Sequence, residues 1–417
     1  TLVNHDNFFL FTPMLHEVAA RDLDITNIVS PIRKLLRRVT FFHGDIESID
    51  LAHHRVGLSH GHEEHCHSLS YDHLVLALGS TTNFFNIPGL AERALTMKSL
   101  DDAIFLRNRL IANLEEADFE CATPLRAPLL NFVVAGGGFA GVGTIAAMND
   151  LLREAVRFFP HLREDMLRII LVNSGKIILP ELGEKLGTYA QRKLVEQQVE
   201  IHPNCKVTAV TDRDVTLSDG TTVTTNTLVW TAGMCPNFLL DTLPCQKMQG
   251  RLLVDENLEV REWGGVWALG DCAYVPDRRT GKSHPQTAQH ALREGRVAAQ
   301  NILSTISGYR KKPFQYTTIG RLAPIGKRTG VANILGVNFS GFIAWWLWRT
   351  IYLLKLPRFE KKVLVALDWT LDVLFSKDLV HFRTTRPPTP PPTEEESKRE
   401  PVQLSGRRSQ ASGSRGH

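Results

Sequence analysis

The stretch FVVAGGGFAGVGTIAAM, from Phe132 to Met148, limits what this chain can fold into more than any other. Phe132, Val133, Val134 and Ala135 form a short apolar run of the kind that lies in a buried parallel strand. Gly136, Gly138 and Gly141 follow in the spacing Gly-x-Gly-x-x-Gly. The first glycine permits a tight turn, the second lets backbone approach a pyrophosphate, and the third lets the next helix lie close on the strand. Ala140, Ile145, Ala146, Ala147 and Met148 continue as a helix of small residues, whose first N–H groups are open to phosphate. Strand, turn and helix in that order point to a dinucleotide site; the competing reading is a glycine turn of purely structural use. The loop stands in the middle of the chain, whereas dinucleotide folds usually begin with one.

A chain of 417 residues with 43% hydrophobic residues has room for two or three domains with full cores. Its six cysteines form no C-x-x-C pair, which argues against a thioredoxin-like motif or a zinc ribbon and fits a reducing compartment. Thr1 to Ala20 has no basic start followed by an apolar core, the form of a secretory signal. The formal charge of +4 is unevenly spread: Arg321 to Arg383 carries 10 basic and 4 acidic side chains, and the tail from Thr384 carries 6 and 4, which leaves the first 320 residues at −4. A mildly acidic body excludes nucleic acid as a partner, and a basic, Trp-rich end suggests an anionic membrane surface.

Leu2 and Val3 read as the end of a strand. Ile46–Leu58 and Tyr71–Leu78 read as strands around a polar hairpin, and Leu100–Leu114 as a helix. Arg168–Asn173 reads as a strand, Leu186–Gln198 as a helix, and Asp219-Gly220 as a hairpin turn. A further helix begins near Thr287, and from Thr384 the Pro, Ser, Glu and Arg content predicts disorder. Three strand ends share one form: LVLALGS closing at Gly79, LVWTAG at Gly233 and VWALGD at Asp271. A Gly-Asp pair at a strand end can present a carboxylate to a ribityl hydroxyl while glycine lets a flavin chain pass, though alone it is equally any strand-end turn; small residues at all three ends leave room for two nucleotides. The segment HHRVGLSHGHEEHCH holds His53, His54, His60, His62, His65, Cys66 and His67. Its spacing suits zinc or nickel, but the reading taken is a solvated hairpin with no metal.

With NFFLFTPMLHEVA, YDHLVLALGSTTNFFNIPG, GGGFAGV, ALGDCA, PQTAQHALREG, KPFQY and AWWLWRTIYLLKLP in place, the chain from Thr1 to about Phe382 resembles the type II NADH dehydrogenases. These are non-proton-pumping NADH:quinone oxidoreductases of the two-dinucleotide flavoprotein superfamily. The resemblance implies an α/β fold with two Rossmann-like domains, the FAD domain interrupted by the NADH domain, and a C-terminal amphipathic helical region that binds membrane. It divides the chain into a first FAD part (1–127), an NAD(P)H domain (128–250), a second FAD part (251–335), membrane-binding helices (336–383) and a disordered tail (384–417). It also implies a first FAD strand and glycine loop that this chain lacks and that would stand ahead of Thr1.

The implied reaction passes a hydride from NADH to FAD and electrons on to a membrane quinone. By resemblance Gly136, Gly138 and Gly141 hold the NADH pyrophosphate, Asn173 its ribose, and Ala232 with Gly233 its passage. Asn4, Gly79, Gly270 and Asp271 are assigned to FAD. Gln286, Thr287, Ala288 and Gln289 form the helix start under the isoalloxazine, with Gln286 and Gln289 between flavin and quinone. The family carries acids where Asn4 and Asn173 stand, and often a Glu where Gly143 stands. Without the acid at Asn173, and with Lys176 nearby to meet a 2′-phosphate, use of NADPH stays open. Two rival readings are a non-catalytic NADH-sensing regulator, separable by a flavin absorbance spectrum, and a sulfide:quinone reductase. The latter needs a reactive cysteine pair, for which Cys235 and Cys245 are the candidates.

At the C-terminal end, Gly341–Leu356 is too short and too charged to span a bilayer, and its Trp345, Trp346, Trp348 and Tyr352 suit the interface. In the next helix Asp368, Asp372 and Ser376 make a polar stripe opposite Val365, Leu367, Trp369, Leu371, Leu374 and Phe375. The expectation is a peripheral protein on the cytoplasmic face of a bacterial inner membrane; the alternative is a helix pair packed on the body or on the mate of a homodimer.

Overall fold

The computed structural model describes residues 1–61, 65–375 and 379–380. His62, Ser376 and the tail from Thr384, each named above, lie outside these residues.

The apolar run of the glycine loop becomes the strand Asn131–Ala135, inside a four-stranded parallel sheet. Its neighbours are Arg168–Asn173 on one side, followed by Val199–Pro203, and Thr227–Trp230 on the other. Alternate residues enter two different cores. Phe132, Val134, Ile169 and Leu171 join a large core with the helices Leu100–Phe119 and Phe139–Ala155. Val133, Ala135, Ile170 and Val172 face a second one with Leu90, Val207, Val215 and Trp230. A sheet covered on both faces needs strands that are apolar throughout rather than alternating, which is what this sequence shows.

The other half is built differently. Leu2–Asn4 pairs in parallel with Phe41–His43, and Leu74–Leu76 pairs in parallel with Val266–Ala268. These remain two separate two-stranded ribbons among the described residues. Leu76, Val266 and Ala268 pack with Leu252, Cys272, Ala298 and Phe314 in a third core, while Val75 is 42% exposed. The halves are joined where Ser80–Thr82 pairs antiparallel with Met234–Pro236, just beyond two of the glycine-ended strands.

Several elements depart from expectation. The segment around the histidines is a three-stranded meander, Asp45–Asp50, Arg55–His60 and His65–Ser70. His60, His65, Cys66 and His67 therefore lie on strands rather than in a hairpin loop, and Tyr71 falls after the third strand. The His60 and His67 Nε2 atoms meet at 2.7 Å, and no cluster of three metal-ligating side chains forms among the described residues. The helix that opens at Leu100, behind a Ser99–Asp102 capping box, runs on to Phe119 because Leu114 and Ala117 still face the core.

The C-terminal region differs from expectation in detail. The strands Gly320–Pro324, Gly330–Ile334 and Val337–Gly341 form a meander that leads into the helices Phe342–Lys355 and Phe359–Leu374. The last helix keeps its two expected faces, the polar stripe inward and most apolar residues outward, with two exceptions. Asp368 Oδ2 accepts from Asn27 Nδ2 at 2.6 Å and from the Asp24 backbone N–H at 3.1 Å, so the polar stripe docks on the body. Val365 and Trp369, expected on the outer face, are buried beside it. Val363, Leu364, Leu367, Leu371, Leu374 and Phe375 point outward, as do Phe342, Ile343, Trp346 and Leu354 of the preceding helix. Arg349 does not reach for solvent either: its guanidinium lies over the rings of Trp345 (4.3 Å) and Trp369 (4.6 Å). No helix among the described residues is long and apolar enough to cross a membrane.

Candidate functional site

Three glycines of the loop do three different things. Gly136 has φ +125°, and a Cβ there would overlap Thr231 Oγ1, so only glycine makes the turn. A Cβ on Gly141 would overlap the carbonyl oxygen of Gly136, which is the price of helix lying against strand. Gly138 faces open space at the N-cap of the helix Phe139–Ala155. The first N–H groups of that helix have no partner within it and face the same opening. The loop thus has one glycine for the turn, one for packing, and one that keeps backbone accessible.

Asn173 ends the neighbouring strand and is buried against Gly137. Its Nδ2 donates to the carbonyls of Gly175 (2.8 Å) and Ile177 (2.9 Å), so both amide hydrogens close its own turn and only Oδ1 faces Gly137. Lys176 lies 3.9 Å from Glu184 at the exposed end of this turn. Ala232 and Gly233 stand opposite, at the end of Thr227–Trp230; Gly233 has φ +79° and packs on Phe85. The six residues assigned to NADH therefore meet around one opening.

Most of the flavin set also converges. Gly79 and Gly270, with φ +66° and +71°, end the ribbon strands Leu74–Leu76 and Val266–Ala268, and a Cβ at Gly79 would meet nothing. Ser80 Oγ donates to Asp271 Oδ2 at 2.9 Å, and Gln286 Nε2 donates to the Asp271 carbonyl at 2.8 Å. The helix Ala288–Ile306 starts beside them, and its N-cap residue Thr287 spends its hydroxyl on His290 Nδ1 (2.8 Å) instead of capping. That leaves the first N–H groups of a long helix open, a positive end for an electron-rich ring. Gln289 is held at both ends: Nε2 donates to the Gly320 carbonyl (2.7 Å) and Oε1 accepts from Tyr316 OH (3.1 Å). Asn4 stays apart on the other ribbon, exposed, with Nδ2 donating to the Asp6 carbonyl. An open glycine cradle, a held carboxylate and an uncapped helix fit a flavin nucleotide.

Sequence reasoning missed three groups. Glu294, 2% exposed, accepts from the Gly270 N–H at 2.7 Å, and burial pushes its carboxyl up to about 7. The spacing of His290, Glu294, Ala298 and Asn301 places it on the inner stripe of its helix, a signal that was readable. His290 is driven down to about 4 by burial and by neighbouring His284, Arg293 and Arg321, so it is neutral. Lys98 reaches the Ser80 carbonyl at 3.2 Å; its ammonium is held below the usual lysine range by burial, against the pull of Asp271 and Cys235. It stands where the two halves join. The cysteine pair does not form a reactive couple: Cys235 Sγ lies 3.2 Å from Thr81 Oγ1, while burial pushes the Cys245 thiol up to about 11.

Comparison with known proteins matches residues 1–295 to the pyridine nucleotide-disulphide oxidoreductase model and residues 319–378 to the NDH2 C-terminal domain. The type II NADH:quinone oxidoreductase Ndh of Mycobacterium tuberculosis is 32% identical over 392 residues, covering 90% of this chain and 83% of that protein. The demethylphylloquinone reductase NdbB of Synechocystis is 30% identical, covering 88% and 87%. Among solved structures, NDH2 from Plasmodium falciparum in complex with NADH superposes with a TM-score of 0.86 at 19% identity, covering 91% of this chain and 94% of that one.

Proposed function

The chain belongs to the pyridine nucleotide-disulphide oxidoreductase family, among its type II NADH:quinone oxidoreductases, and from that premise we propose how its residues divide the work. It is a flavin-dependent oxidoreductase that carries electrons from NADH to a quinone. The observation that supports the residue assignment is the junction of Ser80–Thr82 with Met234–Pro236, which brings the two glycine-ended openings together. FAD held there would supply the chemistry of taking a hydride from nicotinamide and passing electrons onward.

The protein's own part is positioning. Gly136, Gly138 and Gly141, with the helix N-terminus behind them, hold the NADH pyrophosphate, and Ala232 and Gly233 let the nicotinamide arm pass. Asn173 offers the ribose only Oδ1, a neutral acceptor, so a 2′-phosphate is not repelled and NADPH is accepted beside NADH. Gly79, Gly270 and Asp271, steadied by Ser80, Gln286 and Glu294, would hold the FAD ribityl and phosphate region, and the N–H groups of Ala288 and Gln289, just past the N-cap residue Thr287, would favour negative charge on the ring. Asn4 is left for the adenosine ribose of FAD. The segments 1–127 and 251–335 serve FAD, 128–250 serves NADH, and 336–383 serves the membrane.

The outward apolar residues of the last two helices, around an inward polar stripe, favour a protein lying on a membrane face. We place it on the face that meets NADH, which in a bacterium is the cytoplasmic one. A homodimer through the same apolar face is the second reading, and flotation with anionic vesicles against sedimentation without them separates the two. Binding to such vesicles should weaken with salt.

The functional reading is tested by stopped-flow absorbance on flavin-loaded protein. Gln289→Leu removes the contacts to Gly320 and Tyr316 at the quinone side of the helix start. It should slow reoxidation by quinone at least tenfold while flavin reduction by NADH changes less than about twofold. Equal slowing of both half-reactions would contradict the placement of Gln289.

A further inference from the structure

A buried acid and imidazole stand where the short helix Leu15–Ala19 meets the C-terminal helices, and nothing above uses them. Glu17, 5% exposed, accepts from Trp369 Nε1 at 3.0 Å through Oε2. His16 beside it packs its ring on Trp348, 5.6 Å between centroids, and its Nε2 has no hydrogen-bond partner among the described residues. The same ring rests on Gly143 of the loop helix: a Cβ there would stand 3.3 Å from His16 Nδ1, so the missing side chain at 143 makes the room. A cavity of about 30 Å³ lies between them, also lined by Asp22, Lys327, Trp345 and Arg349. That volume, with polar groups around it, accommodates one or two waters. One lining residue, Trp345, meets Phe342 with ring centroids 5.5 Å apart, and Phe342 faces outward on the apolar surface.

The proposed reaction needs a proton that NADH does not supply. A hydride brings two electrons and one proton's worth of hydrogen, whereas a quinone becomes a quinol by taking two electrons and two protons. One proton per turnover therefore comes from the medium. Resting on the quinone-reducing reading, we propose that Glu17, with His16 and a water in this cavity, supplies that proton to the quinone. The O–H bond of the Glu17 carboxyl breaks, the proton passes by way of the water to a quinone oxygen, where a new O–H bond forms, and the electrons come from NADH. The carboxylate left behind takes its next proton from the medium through the cavity.

The surroundings suit the role. Burial raises the Glu17 carboxyl to about 8, opposed by Arg349 and assisted by Asp22 and Asp372, so it carries a proton at neutral pH. Asp150 and Lys327 face the cavity from the loop helix and the Gly326 turn. Burial lowers His16 to about 4, so its imidazole is neutral and its Nε2 can accept and hand on a proton.

The test uses the full chain, loaded with flavin, and compares a short-chain ubiquinone with ferricyanide, which takes electrons without protons. In the unmodified protein the quinone rate should fall along an alkaline limb near pH 8, and the ferricyanide rate should show none. Glu17→Gln, which preserves an acceptor for Trp369, should lower the quinone rate at pH 7 by roughly tenfold or more and abolish the limb. Glu17→Asp should retain it. A limb unchanged in Glu17→Gln, or an equal loss with both acceptors, overturns the proposal. Should Glu17→Gln fail to fold, the unmodified protein still decides: the same limb with both acceptors, or none with quinone, overturns it. If the unmodified protein reduces ferricyanide but no quinone, the quinone-reducing reading fails instead.

Discussion

The two nucleotide-binding halves use the same strand–glycine–helix grammar, yet they are assembled in opposite ways. In the NADH half the glycine loop belongs to one four-stranded parallel sheet whose strands alternate between two cores, and the loop joins consecutive elements. In the flavin half the glycine-ended strands form only a two-stranded ribbon, and the pivotal contact, Ser80 with Asp271, joins residues 191 positions apart. The difference separates two meanings of a glycine. In the first half glycines solve a packing problem where a strand, its own helix and the neighbouring strand end at Thr231 meet. In the second they end strands that only distant partners bring together, so their support comes from side chains such as Glu294 and Gln286.

The comparison can be broken most sharply at Gly141. Its substitution by Val forces a side chain into the Gly136 carbonyl, and kcat/KM for NADH should fall at least a thousandfold, about 4 kcal/mol. Bound flavin should persist, because the support for that site lies elsewhere. Loss of flavin in step with NADH activity, measured by absorbance of the purified variant, would show that the halves are not separately supported.

Glu294 tests the other side. Its folded pKa of about 7 lies above the ordinary 4.5, so the stability it contributes is whole below pH 4.5 and is lost as pH rises through about 7. Thermal unfolding of the unmodified protein should therefore weaken across that window relative to Glu294→Gln, by at most about 3 kcal/mol. Parallel pH profiles for the two proteins would remove Glu294 as a support of Gly270.

Gly138 sharpens the distinction within one loop. Because its Cβ position is open, Gly138→Val should raise KM for NADH about tenfold, some 1.4 kcal/mol, without shifting the melting temperature. A drop in melting temperature comparable to that of Gly141→Val would mean that both glycines serve packing. The smallest effect is expected at Asn173. Asn173→Asp should shift the ratio of NADH to NADPH turnover about threefold toward NADH, on the order of 0.7 kcal/mol, read from steady-state rates with each nucleotide.

The same contrast explains what could be read from the chain alone. The glycine loop, its strand and its helix were legible because they are consecutive in sequence, although the crowding of Gly136 by distant Thr231 was not. The meeting of Gly79, Gly270 and Asp271 was legible only through resemblance, since no local pattern pairs Leu74–Leu76 with Val266–Ala268. Glu17 gave no signal, because its partner Trp369 is 352 positions away. The last helix shows a further limit. Its period marked a polar and an apolar face, but it did not show that Val365 and Trp369 would be buried on the body beside Asp368. The histidine meander fails in a milder way, as polar strands lacking an apolar alternation read as loop.

The pairing of Leu74–Leu76 with Val266–Ala268 also sets an order in time. During synthesis the NADH half has all four of its strands once Trp230 has emerged, and it is able to close on contacts already made. The flavin half must wait with Leu76 unpaired until Ala268 appears, and Asn27 waits longer still for Asp368. Nascent chains halted near residue 260 should thus resist protease over 131–230 while the segment before residue 80 is still cut, so that the protein acquires its pocket for the electron donor before it acquires its pocket for the prosthetic group.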